Sequence, residues 1–326
     1  MKNLFRIKFL AIVALFGVFL TSCDDDEAIV VPDTTITGLA KATPSLSILV
    51  QALVKADLAA TLQGSGPFTV FAPTDAAFRK FLTDNNFADL NAVPVPLLKQ
   101  VLLNHVVSGS VQASGLVNNT YIKTLALGSA STSNTLSMYV NTTAGVKLNG
   151  VSNVNTTLTG STFNVIASNG VIHLVDAVIG LPTIVTHAAA NPAFSTLVTV
   201  VTSPAQSAVL TALTTNTVPL TVFAPTNAAF ATALGAGGFA NAATSAQVTK
   251  VLQYHVTAAG NVQSTQLTNG QVIPMITSPV QNITIDLTSG AKITDTSTTK
   301  ASIIVVNVQC ANGIIHAVDK VLQPVL

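Results

Sequence analysis

Most of the acid–base chemistry available to this chain rests on four histidines that recur in two settings. His105 and His255 follow apolar stripes, in Asn104-His105-Val106 and Tyr254-His255-Val256, whereas His173 and His316 each stand three residues before an aspartate, Asp176 and Asp319. A histidine oriented by a carboxylate is a common general base. Residues three apart on a strand point to opposite faces, however, so neither His173 with Asp176 nor His316 with Asp319 is expected to form such a dyad. His105 and His255 fall at i, i+3, i+4, i+7 spacing with Leu98, Val101 and Leu102, or with Val248, Val251 and Leu252. That spacing places them on the inward face of a helix, where a hydrogen-bonded core histidine is expected.

Other chemistry fares worse. No CxxC, HExxH or clustered acidic loop exists to hold zinc or calcium, and no Gly-x-Ser-x-Gly elbow activates a serine. Glycoside hydrolysis needs two acids in one cleft. The only glutamate is Glu27, and the second half of the chain has just Asp286, Asp295 and Asp319. Lys123, Lys147, Lys292 and Lys300 lack a phosphate-cradling context, and Cys310, aligned with Ala167, reads as a small core residue. No catalytic residue, metal site or cofactor is expected, and the chain reads as a non-enzyme.

The elements that carry these residues come in two copies. Residues 69–78, TVFAPTDAAF, agree with 221–230, TVFAPTNAAF, at nine of ten positions. NHV and YHV follow, and then NGVIHLVD from Asn169 and NGIIHAVD from Asn312. Tandem domains at 34–182 and 183–326 are expected. Each opens with an amphipathic helix, on Leu46, Leu49, Val50, Leu53 and Val54 or on Phe194, Leu197, Val198 and Val201. Strands at Phe68–Phe71 and Leu220–Phe223 end at a proline, and Thr74 and Thr226 are placed to cap the next helix. The Thr-rich remainder, including Ile283–Leu287, alternates as strands do, and it closes on hairpins predicted to turn at Asn169-Gly170 and Asn312-Gly313 as type I′. Helices followed by strands make each copy an α+β domain.

These three motifs, recurring twice in order, resemble the conserved blocks of fasciclin (FAS1) domains over nearly all of residues 34–326. The resemblance implies two tandem β-wedge or sandwich domains, each flanked by short helices, in a protein that works in cell adhesion and in matrix or protein contacts. It also implies interaction residues at the Tyr-His pair, here Tyr254 and His255, with Asn104 and His105 in the first copy. Thr74, Asp75, Thr226, Asn227, His173, Asp176, His316 and Asp319 are the structural residues of the conserved blocks. The chain departs from the family at Asn104, where tyrosine is usual, and at Asn227, where aspartate is common.

Composition narrows the class. The 326 residues are 49% hydrophobic but only 8% charged, with a net charge of +1 and mean hydropathy +0.58. Thr, Ser, Asn, Gly or Pro interrupts every apolar stretch beyond residue 20, which excludes a polytopic membrane protein. High hydrophobicity with low net charge excludes intrinsic disorder, and no basic field exists for nucleic acid. Lys2, Arg6 and Lys8 precede the apolar run Phe9–Leu20, the pattern of a signal peptide spanning 1–22. Leu20-Thr21-Ser22-Cys23 resembles the lipobox of bacterial lipoproteins, implying lipidation of Cys23 and an acidic tether over 23–33. Asp24, Asp25, Asp26 and Glu27 resemble an export signal of surface lipoproteins, so an outward-facing outer-membrane location is expected, with the periplasmic face as the alternative.

The expected partner is a protein or matrix ligand, or a second copy of the chain. A glycan-binding surface lipoprotein that assists polysaccharide capture is the alternative. Sugar faces rely on aromatic platforms, and the chain has no Trp and only Tyr121, Tyr139 and Tyr254.

Overall fold

Thr35 caps α1 (Ile36–Ala42) by accepting a hydrogen bond from the Gly38 amide, and α1 lays Ile36 and Ala40 into the core. The computed structural model describes residues 32–154, 164–235 and 244–326, of which Asp33–Leu326 form one compact unit. The signal-like segment, Cys23 and the acidic run Asp24–Glu27 lie outside the described residues. After α1 come α2 (Ser47–Lys55), α3 (Ala59–Gln63), β1 (Phe68–Pro73), α4 (Asp75–Asp84) and α5 (Val95–Leu103). Strands follow: β2 (Val106–Ser108), β3 (Thr120–Gly128), β4 (Ser131–Asn141), β5 (Lys147–Leu148), β6 (Ser152–Asn153), β7 (Val165–Ala167) and β8 (Gly170–Val175).

Thr183 caps α6 (Ile184–Ala190) and the scheme repeats, with α7 (Ser195–Val201), α8 (Ser207–Thr215), β9 (Leu220–Pro225), α9 (Asn227–Gly235) and α10 (Ser245–Gln253). The strands β10 (Val256–Thr257), β11 (Val272–Pro274), β12 (Asn282–Asp286), β13 (Lys292–Thr294), β14 (Ala301–Cys310) and β15 (Gly313–Val318) complete the second half.

β1 lies between β2, antiparallel, and β8, parallel, in the order β6-β5-β4-β3-β2-β1-β8-β7. Alternation along β1 and β8 sends Val70, Ala72, Ile172 and Leu174 against the helices. Phe71 and Val175 face the other way, into a second core with Met138, Val140 and Leu148. The sheet folds over at a seam between Val107 and Thr124, and a bridge from Val154 to Val175 closes the far side, giving a wedge. The second half has the order β10-β9-β15-β14-β13-β12-β11, so its two leaves join instead where β14 meets β13. Both halves are α+β. Among the described residues, no single helix is long and apolar enough to cross a membrane.

Three local expectations are corrected. β1 and β9 run on through Pro73 and Pro225, which sit at the end of the parallel ladder opposite Val175 and Val318. Val54 is 64% exposed, because Ala52 and Leu53 take the buried places of α2. The closing turns are not type I′ turns centred on Asn-Gly. β7 pairs with β8 at Ala167–Gly170, so Ser168 and Asn169 form the turn and Gly170 begins β8; Ala311 and Asn312 do the same before Gly313.

The asparagines of these turns serve the helices instead. Asn169 accepts from the Ile36 amide and donates to the Leu62 and Gly64 carbonyls, and Asn312 accepts from the Ile184 amide and donates to the Leu213 carbonyl. The glycines allow close approach of parallel strands: a Cβ on Gly170 would stand 1.9 Å from the Phe68 carbonyl oxygen, and one on Gly313 would stand 2.1 Å from that of Leu220. Gly170→Ala is therefore expected to destabilise by about 3 kcal/mol or more, read as a lowered thermal midpoint.

Candidate functional site

Thr74 caps α4 by accepting from the Ala77 amide at 3.3 Å, and Thr226 caps α9 by accepting from Ala229 at 3.4 Å. Asp75 turns back to α2, where its carboxylate accepts from the Ser47 hydroxyl at 2.7 Å and the Ile48 amide at 2.8 Å. An anion at a helix N-terminus satisfies amides that have no partner within the helix. Asn227 preserves the tie without charge: Oδ1 accepts from the Thr196 amide, and Nδ2 donates to the Pro192 carbonyl and to Ser195 Oγ. Asparagine fits here because its Nδ2 donates to the Pro192 carbonyl, an acceptor that a carboxylate would repel.

The pair expected to make contacts outside the domain is sealed inside it. Asn104, His105, Tyr254 and His255 are all buried, with exposures of 0–3%. His105 Nδ1 lies 2.8 Å from the Val101 carbonyl, and Nε2 accepts from the Ile179 amide at 2.9 Å. His255 repeats this with Val251 at 2.7 Å and Leu322 at 2.8 Å. Each imidazole thus pins the segment after the last strand to the end of α5 or α10, as the neutral tautomer with its proton on Nδ1. Burial pulls both histidines down to a pKa of about 4 against the opposing effect of the carbonyl bond.

The preceding residue reaches different partners in the two copies. Asn104 donates to the Ile179 and Gly180 carbonyls and accepts from Thr124, while the longer Tyr254 donates its hydroxyl to the Asn282 carbonyl at 2.6 Å. The expectation that these four side chains touch a ligand is therefore corrected. They hold the wedge together, and a ligand would not reach them in this conformation.

His173 and His316 stack on Phe71 and Phe223 at 5.5 and 5.7 Å. Nε2 of each binds a loop carbonyl, Val111 or Val262, and Thr69 or Thr221 ties the same loop through its hydroxyl. Asp176 faces elsewhere, accepting from the Asn153 amide and side chain, and Asp319 accepts from the Ser302 amide. Strand alternation separates each histidine from its aspartate. Among the described residues, no group of three or more His, Cys, Asp or Glu side chains gathers to hold a metal. Cys310 is fully buried, and burial pushes its thiol pKa up.

The polar constellation missed by sequence reasoning lies between the two halves. Lys123 on β3 donates to Ser137 Oγ and, across the junction, to the Asn307 carbonyl, both at 3.0 Å. Ser137 also accepts from the Gln309 amide at 3.0 Å, and the Ala130 amide donates to the Ala311 carbonyl at 2.9 Å. Asn191 donates to the Tyr121 hydroxyl at 2.9 Å, and His187 meets the Tyr121 ring edge-on at 5.6 Å. His187 is fully buried, with neither ring nitrogen hydrogen-bonded among the described residues, and burial lowers its pKa to about 4. One signal was present in the sequence, since His187 is the fifth histidine and has no repeat counterpart.

A Cβ on Gly128 would stand 2.4 Å from Ala311 Cα across this junction. Gly128→Val is expected to wedge the halves apart while leaving each fold intact. Small-angle scattering should show a larger radius of gyration, and one thermal transition should become two.

Apolar side chains remain exposed on β14, where Ile304, Val305 and Val306 are 52, 39 and 44% accessible at an irregular stretch of the ladder. None of the three tyrosines offers a flat exposed platform: Tyr139 and Tyr254 are buried, and Tyr121 is packed at the junction.

A fasciclin domain model matches residues 44–182 and again 192–324. Protein sll1483 of Synechocystis sp. is 36% identical over 145 residues, covering 44% of this chain and 73% of that protein. The uncharacterized protein sll1735 of the same organism is 35% identical over 143 residues, covering 44% and 98% respectively. Among solved structures, a FAS1 domain pair from the insect cell adhesion molecule Fasciclin I aligns over 86% of this chain and 97% of its own, with 17% identity and a TM-score of 0.48.

Proposed function

The chain belongs to the fasciclin domain family, with two domains in tandem, and from that premise we propose that it is an exported, lipid-anchored and non-catalytic adhesion module that binds a protein or matrix partner or a second copy of itself. Domains of this family are generally non-enzymatic and are associated with adhesion or protein interaction. The observation that carries the reading is where the polar and apolar groups have gone. His105, His255 and Asp176 of the repeated motifs are engaged within the fold, whereas the neutral β-branched run Ile304–Val306 faces outward. Residues 177–249 contain no Asp, Glu, Lys or Arg, so close approach through the second domain meets little charge repulsion. The proposed domain boundary between Pro182 and Thr183 is supported by Thr183, which caps α6 as Thr35 caps α1.

Residues 28–326, which contain the whole compact unit, can be made without the lipid and coupled to beads. Bead clustering or cell binding, reduced by Ile304→Asp with Val306→Asp, is the expected result. Saturable binding on a glycan array with no bead or cell adhesion would overturn it in favour of polysaccharide capture. Anchoring through Cys23, proposed at the outer membrane facing outward, is tested separately. Cys23→Ser should abolish lipid labelling and release the protein from the membrane fraction, and continued labelling would refute it.

A further inference from the structure

The two domains are not equally well filled. Between α6, α7, α8 and the strands β9 and β15 lies an apolar cavity of about 40 Å³, while the equivalent place in the first domain holds about 10 Å³. The bonds from Asn169 to Leu62 and from Asn312 to Leu213 set the register of α3 against α8. In that register Val209 stands where the first domain has Leu58, and in α7 Val201 stands where α2 has Leu53. Each exchange removes one methylene from the helical side of the core, and packed interiors close such gaps only in part.

The walls leave a guest nothing polar to bind. Thr202 donates its hydroxyl to the Val198 carbonyl at 2.7 Å, and both nitrogens of His255 are engaged, with Val251 and Leu322. No lining residue carries a charge at neutral pH, since His255 is held neutral. A buried water needs two to four polar partners, and an apolar cavity that offers none stays dry and takes up apolar guests such as xenon.

We propose that this cavity of the second domain is a binding site for a small uncharged aliphatic guest, with a volume of a few methylene groups. The first domain, filled by Leu53 and Leu58, lacks such a site.

The test uses residues 28–326 with labelled methyl groups under xenon pressure. Saturable shifts are expected at Val201, Val209, Leu197 and Leu213, with none at Leu49, Leu53 or Leu62. Propane should give the same pattern and butyrate none. Val201→Leu, which restores the first domain's residue, should abolish the shifts and raise the thermal midpoint by a few degrees. Val209→Leu is a second, independent filling that serves the same purpose if the first variant does not fold. Absence of saturable shifts, equal shifts in both domains, equal binding of butyrate, or shifts that persist in a folded filled variant would each overturn the proposal.

Discussion

Acidification from pH 7 to pH 4 is expected to remove most of the protein's stability, because three imidazoles must stay neutral for the fold to hold. His105, His187 and His255 each have a pKa of about 4 in the folded chain, with burial as the dominant cause. In the unfolded chain each would titrate near 6.5. Above that value both states are neutral and the histidines contribute no pH dependence. Between about pH 6.5 and 4 the unfolded chain binds protons that the folded chain refuses, so stability falls as pH falls.

Each group accounts for roughly 3 kcal/mol, and the three together for roughly 10 kcal/mol, against a typical total of about 5–15 kcal/mol. His173 and His316 are displaced in the same direction by burial. Denaturant midpoints measured at intervals from pH 7.5 to 4 should fall steeply below pH 6.5. A flat profile over that interval would contradict the neutral, buried state of these rings.

The second large effect is expected at a single residue. His255→Ala removes the acceptor for the Leu322 amide and one of the donors to the Val251 carbonyl, which still accepts from the Tyr254 amide, so it leaves one buried amide without a partner and a void beside α10. The combined loss is about 4 kcal/mol, a fall in the thermal midpoint of order 10 °C. Tyr254→Phe leaves only the Asn282 carbonyl unpaired and should cost about 1 kcal/mol. Because both side chains are interior, adhesion measured well below the midpoint should survive both changes. An unchanged midpoint with lost adhesion would overturn the interior role and return the pair to the binding surface.

The contrast between those two side chains and their neighbours shows what was legible. Thr74 and Thr226 were readable as caps because a cap bonds an amide two or three residues away. The apolar stripe of α5 predicted His105 as interior, since helical spacing alone sets the face. Val54 misled because it continues the stripe of α2 on paper, yet the surface that would cover it is filled by Ala52 and Leu53. Asn169-Gly170 misled for a different reason. The dipeptide suits a type I′ turn, but a parallel neighbour, β1, needs the glycine inside the strand, and α1 needs the asparagine side chain.

The sequence by itself determined that the chain is a tandem repeat of α+β domains. Repeats, periodicity and composition are properties of order along the chain, and they survive without any knowledge of contacts. Only the tertiary structure decided that the Tyr-His region is a lock and not an exposed contact, because its partners at Ile179 and Leu322 lie about 70 residues away. The junction of Lys123 and Ser137 with Asn307 and Gln309 was likewise beyond reach, since it joins residues from different repeats whose pairing no local preference encodes. So was the unequal filling of the two cores. A leucine-to-valine exchange is conservative in sequence, and it becomes a cavity only when the surrounding helices and strands decline to close around it.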